Sequence, residues 1–312
     1  MTIRYDGQVA IVTGAGNGLG RSHALALAAR GAKVVVNDFG GARDGSGGST
    51  AAADGVVAEI EAAGGTALAN GADVTDRAAV DAMVAAAKDA WGRVDILVNN
   101  AGILRDRTFA KMEMDDFRKV IDVHLMGSVN CTHAVWPLMR EQAYGRIVMT
   151  SSASGIHGNF GQSNYGAAKA GVVGLMNVLV LEGEKYNIRI NTLAPCAATR
   201  MTEELLSEQA LELLEPSSVT PAVLYLVANE APNRTIMGAG AGNYSVIEIT
   251  ETAGKWLADD ARTPEAIADN WAAISDPEAR LNLTSASAQT QNMLEQAAHG
   301  LGIDLKLGGS IA

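Results

Sequence analysis

Ser152, Tyr165 and Lys169 lie in the run TSSASGIHGNFGQSNYGAAK, thirteen residues separating the serine from the tyrosine and four separating the tyrosine from the lysine. Residues four apart on a helix project from one face, so this spacing can set an ammonium beside a phenol. A nearby positive charge favours phenolate and pulls a tyrosine pKa from about 10 towards working pH. A serine hydroxyl delivered from a strand end can then hydrogen-bond the reacting oxygen of a substrate. The three side chains could form a proton-transfer site. Ser151 is adjacent, but neighbours in an extended strand face opposite ways, so only one of the two serines can point into such a site. A Tyr-x-x-x-Lys pair alone is common on helix surfaces; its weight comes from what precedes it.

The elements that would position this group begin at residue 9. Val9–Val12 is a short apolar run rich in β-branched residues, which reads as a buried parallel strand. Gly14, Gly18 and Gly20 follow in the pattern T-G-x-x-x-G-x-G and lead into an alanine- and leucine-rich helix over 21–30. Glycines at such a turn let the backbone approach a pyrophosphate, and the helix N-terminus offers unpaired N–H groups. The next strand, 33–37, ends at Asp38, eighteen residues beyond Gly20. A carboxylate there suits a ribose diol and repels a 2′-phosphate, so NAD is expected rather than NADP. Arg43 in the following loop is the residue that would favour the phosphate.

With these residues in view, the chain resembles the short-chain dehydrogenase/reductase family: TGAGNGLG at 13–20, Asp73-Val74, NNAG at 99–102, and Ser152, Tyr165 and Lys169 occur in family order. The loops VVVNDFGG, ILRDRTFAKM, EKYNIRINTLAP and TPEAIADNW are more narrowly similar to the (3R)-hydroxyacyl-CoA dehydrogenase units of peroxisomal multifunctional enzymes of type 2, here expected as a stand-alone unit. The resemblance implies that Ser152, Tyr165 and Lys169 are catalytic, with Tyr165 as general acid/base. It also implies that Gly14, Asn17, Gly18, Leu19, Asp38, Asp73, Val74, Asn100, Ala101, Gly102, Tyr165, Lys169, Pro195 and Thr199 bind the cofactor. Asp73 serves either the adenine or the start of the next helix, where Thr75 or Asp76 could cap equally well. The Asn-Ala-Gly turn either approaches the ribose or braces the sheet. Two positions depart from the wider family. His124 stands where many members carry a relay asparagine, and as an imidazole it would make that relay sensitive near neutral pH. Cys196 replaces a glycine after Pro195.

The expected fold is α/β, a doubly wound parallel sheet (a Rossmann fold) with a mainly helical C-terminal extension. Strands are expected near 8–13, 33–37, 66–70, 95–98, 145–151, 188–193 and 243–250, and helices near 19–30, 50–63, 76–91, 114–140 and 163–186. The domain reading is 1–250 for dinucleotide binding and catalysis and 251–312 for the extension. There Thr263 and Pro264 should open one helix, and a second is expected near 284–298. Residues 40–49, GGARDGSGGS, read as a surface loop or a flap over the adenosine end.

Of 312 residues, 48% are hydrophobic and 19% charged, a globular composition. The net charge of −11 argues against nucleic acid as a partner. It is also awkward for an anionic acyl-CoA, unless Arg105, Arg107, Lys111, Arg118 and Lys119 form a local patch rather than a solvated helix face. Cys131 and Cys196 suggest neither a disulfide framework nor a metal site. No signal segment, bilayer-spanning run or C-terminal peroxisomal address is read, so a cytoplasmic enzyme without a membrane partner is expected. His157, Asn159, Phe160 and Gln162 lie where substrate would pass.

The function expected is NAD-dependent oxidation of (3R)-hydroxyacyl-CoA to 3-ketoacyl-CoA. An NAD-dependent 17β-type hydroxysteroid dehydrogenase is the alternative, and a non-catalytic dinucleotide sensor the third reading. Self-association into a homo-oligomer is expected through the helices over 114–140 and 163–186.

Overall fold

The computed structural model describes residues 2–42, 44–197 and 207–305. The chain divides into two compact units, Met1–Ile247 and Glu248–Ala312. In the first, eight strands form one sheet: β1 (Val9–Thr13), β2 (Lys33–Asn37), β3 (Thr66–Asn70), β4 (Ile96–Asn99), β5 (Gly145–Thr150), β6 (Ile188–Pro195), β7 (Ile236–Gly240) and β8 (Asn243–Ile247). Their order is β3-β2-β1-β4-β5-β6-β7-β8, parallel throughout except for β8, which pairs antiparallel with β7. Strand order reverses between β1 and β4. Doubly wound sheets open a ligand crevice at such a point, beyond the carboxyl ends of the strands.

Alternation along β1 shows why both faces must be covered. Val9 and Ile11 join one buried cluster, with Leu97, Ile147 and Met176. Ala10 and Val12 join another, with Leu27, Val34 and Val223. The helices supplying these layers are α1 (Gly18–Ala29), α2 (Ala51–Ala62), α3 (Arg77–Trp91), α4 (Met114–Ile121), α5 (Gly127–Gln142), α6 (Ala153–Ile156), α7 (Ser163–Gly183), α8 (Glu208–Leu213) and α9 (Thr220–Leu226). Asp76 caps α3 by accepting from Ala78 N and Ala79 N, and Gly92 ends it in a left-handed conformation.

Three features differ from the sequence expectation. The helix expected over 114–140 is two helices joined by a π-helical turn at Asp122–Met126. The run IMGAG at 236–240 forms the last parallel strand, and the expected strand at 243–250 is instead the antiparallel edge, ending at Ile247. A two-residue turn at Ala241-Gly242, both with positive φ, joins them. That is the turn whose twist matches paired strands. Thirdly, the segment Ser163–Tyr186 is long and apolar enough, by length and composition, to cross a bilayer. Its Ala168, Lys169, Val172, Val173, Met176 and Val180 are buried, and all but Lys169 belong to the core cluster that includes Ile147 and Ile190. Burial within the chain accounts for that face of the helix, while Val178 and Leu181 stay exposed.

The second unit holds β9 (Glu251–Thr252) paired antiparallel with β10 (Arg280–Leu281), and three helices, α10 (Pro264–Asp269), α11 (Trp271–Ile274) and α12 (Ala286–Leu301). Thr263 caps α10, its Oγ1 accepting from Ala266 N at 3.1 Å, with Pro264 at the first helical position. Ser285 caps α12 in the same way.

Candidate active site

A cavity of about 500 Å³ runs along the crevice, within the range of small-molecule sites. One end is lined by Gly14, Asn17, Gly18, Leu19, Asp38, Asp73 and Val74, the middle by Asn100, Ala101 and Gly102, and the other end by Ser152, Tyr165, Lys169 and Pro195. Every described residue expected to be catalytic or to bind the cofactor thus reaches one cavity, whereas His157 and Phe160, expected along the substrate path, do not line it. Thr199 lies outside the described residues.

The nucleotide end is built by close backbone approach. Gly14 has φ +62°, and a Cβ there would lie 2.8 Å from Ala101 Cα, so the β1 turn and the end of β4 can meet only without one. Asn100 locks the meeting. Its Nδ2 donates to Thr13 O and Gly14 O, both at 3.0 Å, while Asn100 N and Ala101 N donate to Thr13 Oγ1 at 3.0 and 3.1 Å. The Asn-Ala-Gly turn is therefore a brace between two strands as well as a wall of the cavity. α1 opens at Asn17 with no side-chain cap and no acidic residue in its first turn, leaving the N–H groups that a pyrophosphate would take. At the end of β2, Asp38 accepts from Gly16 N through Oδ2 and from Gly40 N through Oδ1, each at 2.7 Å. Asp73 folds onto Thr75, accepting from its N and Oγ1. Because Asp76 is the cap of α3, Asp73 remains a wall of the cavity. A carboxylate for a diol, bare helix N–H groups and a proton-transfer group at the far end form a donor set that fits a nicotinamide dinucleotide.

At the reacting end the two serines separate as strand geometry requires. Ser151 is fully buried, its Oγ donating to Lys169 O at 2.7 Å, whereas Ser152 lines the cavity. Lys169 Nζ donates to Thr150 O at 2.6 Å and stands 5.5 Å from the centroid of the Tyr165 ring. Burial pushes the Lys169 ammonium down to about 7. Burial also raises the Tyr165 phenol above its usual 10, opposed by its hydrogen bond with Ser152 and reinforced by the Asp106 charge. This differs from the expectation that the lysine holds the phenol down. In this structure the ammonium is spent on a backbone carbonyl, and desolvation dominates both groups.

His124 sits in the π-helical turn, buried, its ring edge-on to Tyr165 with centroids 5.0 Å apart. Its Nε2 lies 2.8 Å from Ile103 O and 3.1 Å from Ile103 N, while Nδ1 is buried without a hydrogen-bond partner. Desolvation and the Lys169 charge hold its pKa well below 6.5. The expected sensitivity near neutral pH is corrected accordingly: the imidazole is neutral there. Cys196 lines the cavity and is exposed, and a Cβ on Gly240 would lie 2.4 Å from its carbonyl.

Among the described residues, two of the five in the basic cluster are ion-paired. Arg105 pairs with Asp116 at 2.6 Å and Arg118 with Asp115 at 2.8 Å, while Lys119 lines the cavity. Asn159 and Gln162 do line it, and they are bonded to each other, with Gln162 Nε2 donating to Asp106 Oδ2 at 2.7 Å. Ile103, Leu104, Asp106 and Thr150 also contribute to the wall, and sequence reading missed them. Position was the available signal, since each lies just beyond a strand end or closes one. Among the described residues no cluster of His, Cys, Asp and Glu could hold a metal ion.

Comparison with known proteins agrees with this geometry. Residues 8–210 match the family model described as short chain dehydrogenase. The chain is 50% identical over 277 residues to the mouse peroxisomal multifunctional enzyme type 2, covering 88% of this chain and 37% of that protein. Its structure is similar to that of the full-length peroxisomal multifunctional enzyme type 2 from Drosophila melanogaster, with TM-score 0.79 and 39% identity over 96% of this chain and 51% of that one. A 7α-hydroxysteroid dehydrogenase complexed with NADH and 7-oxo glycochenodeoxycholic acid is also similar, with TM-score 0.69 and 30% identity over 77% of this chain and 95% of that one. The chain thus spans about a third of the mouse enzyme and half of the Drosophila melanogaster one.

Proposed function

The chain belongs to the short-chain dehydrogenase family, an oxidoreductase by that membership, and on that premise we propose that it oxidises the 3-hydroxyl of a (3R)-hydroxyacyl-CoA to the ketone with NAD. The observation that carries the chemistry is the convergence of Ser152, Tyr165 and Lys169 at one end of a cavity whose other end holds Asp38. The substrate class is supported by likeness to the multifunctional enzymes over 88% of the chain. The preference for NAD is supported by the Asp38 carboxylate, which would face a 2′-phosphate with like charge.

Bound nicotinamide dinucleotide would supply the hydride acceptor. The chain's own residues manage the proton and the oxygen. Tyr165 takes the hydroxyl proton as general base, and Ser152 donates a hydrogen bond to the same oxygen as charge gathers on it. Lys169, buried beneath the phenol, supplies the positive charge that a phenolate needs. For the phenol to work near neutral pH, its elevated pKa would have to fall once dinucleotide and substrate are bound.

The test is NADH formation with (3R)- and (3S)-3-hydroxydecanoyl-CoA, the free (3R)-acid and estradiol, each with NAD or NADP. Turnover confined to the (3R)-thioester with NAD is the expected result. Turnover of estradiol alone would instead support a hydroxysteroid dehydrogenase, the reading favoured by likeness to the 7α-hydroxysteroid enzyme.

A further inference from the structure

The glycine-rich segment after β2 is held in a specific place. Its root is closed by Ser49 N donating to Phe39 O at 2.9 Å and by Gly40 N donating to Asp38 Oδ1. Its tip is a self-contained turn: Ala42 N donates to Ser46 O, Gly45 N donates to Ala42 O, and Asp44 Oδ1 accepts from Ser46 N and Oγ. Phe39, Gly41, Ala42 and Gly45 line the same cavity as Asp38 and Tyr165. The tip rests on the opposite wall, where a Cβ on Gly45 would lie 3.1 Å from Ile103 Cγ2. Among the described residues, one hydrogen bond ties the tip to that wall. It runs from Arg105 Nε to Asp44 O at 2.9 Å.

Arg105 is itself anchored on two sides. Its Nη1 donates to Asp116 Oδ1 of α4 at 2.6 Å. Its carbonyl accepts from the fully buried Asn164 Nδ2 at 2.9 Å, and Asn164 Oδ1 accepts from Tyr165 N at 2.7 Å. The guanidinium therefore joins the loop beside Asp38 to α4, while the backbone carbonyl of the same residue is held by α7, which carries Tyr165. A planar fork of donors can serve a carbonyl and a carboxylate together, which a lysine ammonium on a flexible stem does less well.

We propose that residues 39–42 and 44–49 form a lid over the groove beside Asp38, and that Arg105 is the latch that sets how fast the dinucleotide leaves. Arg43 lies outside the described residues and takes no part in the argument. Arg105 is a positioning residue: it acts through the lid. The inference rests on the reading that this groove takes a nicotinamide dinucleotide.

The experiment uses the full chain and NADH alone. NADH fluorescence gives the dissociation constant, and stopped-flow displacement of NADH by excess NAD gives the off-rate, for wild type, Arg105→Ala, Arg105→Lys and Asp116→Asn. Arg105→Ala should raise the off-rate about tenfold, the effect of losing one hydrogen bond from a charged donor. The association rate should rise as well, since the latch is made in the ligand-free structure and the lid must open for entry too. Arg105→Lys and Asp116→Asn should fall between, and thermal melting of each ligand-free variant shows that it is folded. An off-rate in Arg105→Ala and Arg105→Lys within twofold of wild type overturns the latch while leaving cofactor binding intact. A faster off-rate with the association rate unmoved overturns it as well, because that is the effect of losing a direct contact to the dinucleotide. If wild type binds no NADH, the lid and the cofactor reading fall together.

Discussion

At the scale of single residues, the reacting group is governed by desolvation more than by pairing. Tyr165 and Lys169 are on one helix face as their spacing requires, yet burial raises the phenol and pushes the ammonium down to about 7. Tyr165→Phe removes the proton acceptor and should lower kcat/KM at least about a hundredfold while NADH still binds. Retained turnover in that variant would contradict the mechanism. Lys169 makes a separate prediction about stability. Its folded pKa lies below its unfolded value of about 10.4, so the unfolded chain binds the extra proton between about pH 7 and 10. The cost of burying the ammonium is therefore fully present below pH 7 and fades as pH rises through that window. Lys169→Met should consequently gain stability relative to wild type at pH 6.5, by on the order of a few kcal/mol more than at pH 10. Urea denaturation of the ligand-free protein at the two pH values measures this.

At the scale of elements, the β1 turn, the end of β2 and the end of β4 act together. Asp38 was legible as the last residue of a β-branched strand at the expected distance from the glycines. Its bonds to Gly16 N and Gly40 N were not, because they cross from one strand's turn to another's. Asp38→Ala removes the like charge facing a 2′-phosphate, and the ratio of kcat/KM for NAD over NADP should fall at least about tenfold, or about 1.4 kcal/mol. Steady-state rates with each nucleotide decide it, and an unchanged ratio would place the discrimination elsewhere. The missed strand β7 has a clear cause. IMGAG carries two glycines and little periodicity, so it reads as loop. It is a strand because β6 on one side and β8 on the other satisfy its backbone. The π-helical turn between α4 and α5 escaped in the same way, since its sequence keeps helical spacing throughout. The extra residue matters only where it seats His124 against Ile103 and Tyr165.

For the whole molecule, the charge balance and the outer surface make their own statements. Of the five cations at 105–119, Arg105 and Arg118 are taken by Asp116 and Asp115, while Lys119 lines the cavity. α7 buries its sheet-facing side but leaves Val178 53% and Leu181 52% exposed, an apolar strip that water would otherwise cover. Self-association through this helix is the expectation, and the double variant Val178→Asp, Leu181→Asp should shift the protein to a smaller species by light scattering at the same concentration. A mass unchanged from wild type would exclude α7 as the contact.

Motifs whose meaning is local were readable from residue order alone. These are the glycine turn after a β-branched strand, the acidic strand end, the i, i+4 pair on a helix, and the Thr-Pro helix start at 263. Each depends on backbone sterics within a few residues, so the chain carries the information in sequence. What tertiary structure decided depends on groups distant in sequence meeting with water excluded. Ser152 rather than Ser151 faces the cavity, Lys169 is tied to Thr150 O, His124 is neutral, and Arg105 bridges Asp44 and Asp116. Burial and long-range hydrogen bonds set those outcomes. Neither exists until the sheet has brought β1, β4, β5 and β6 side by side.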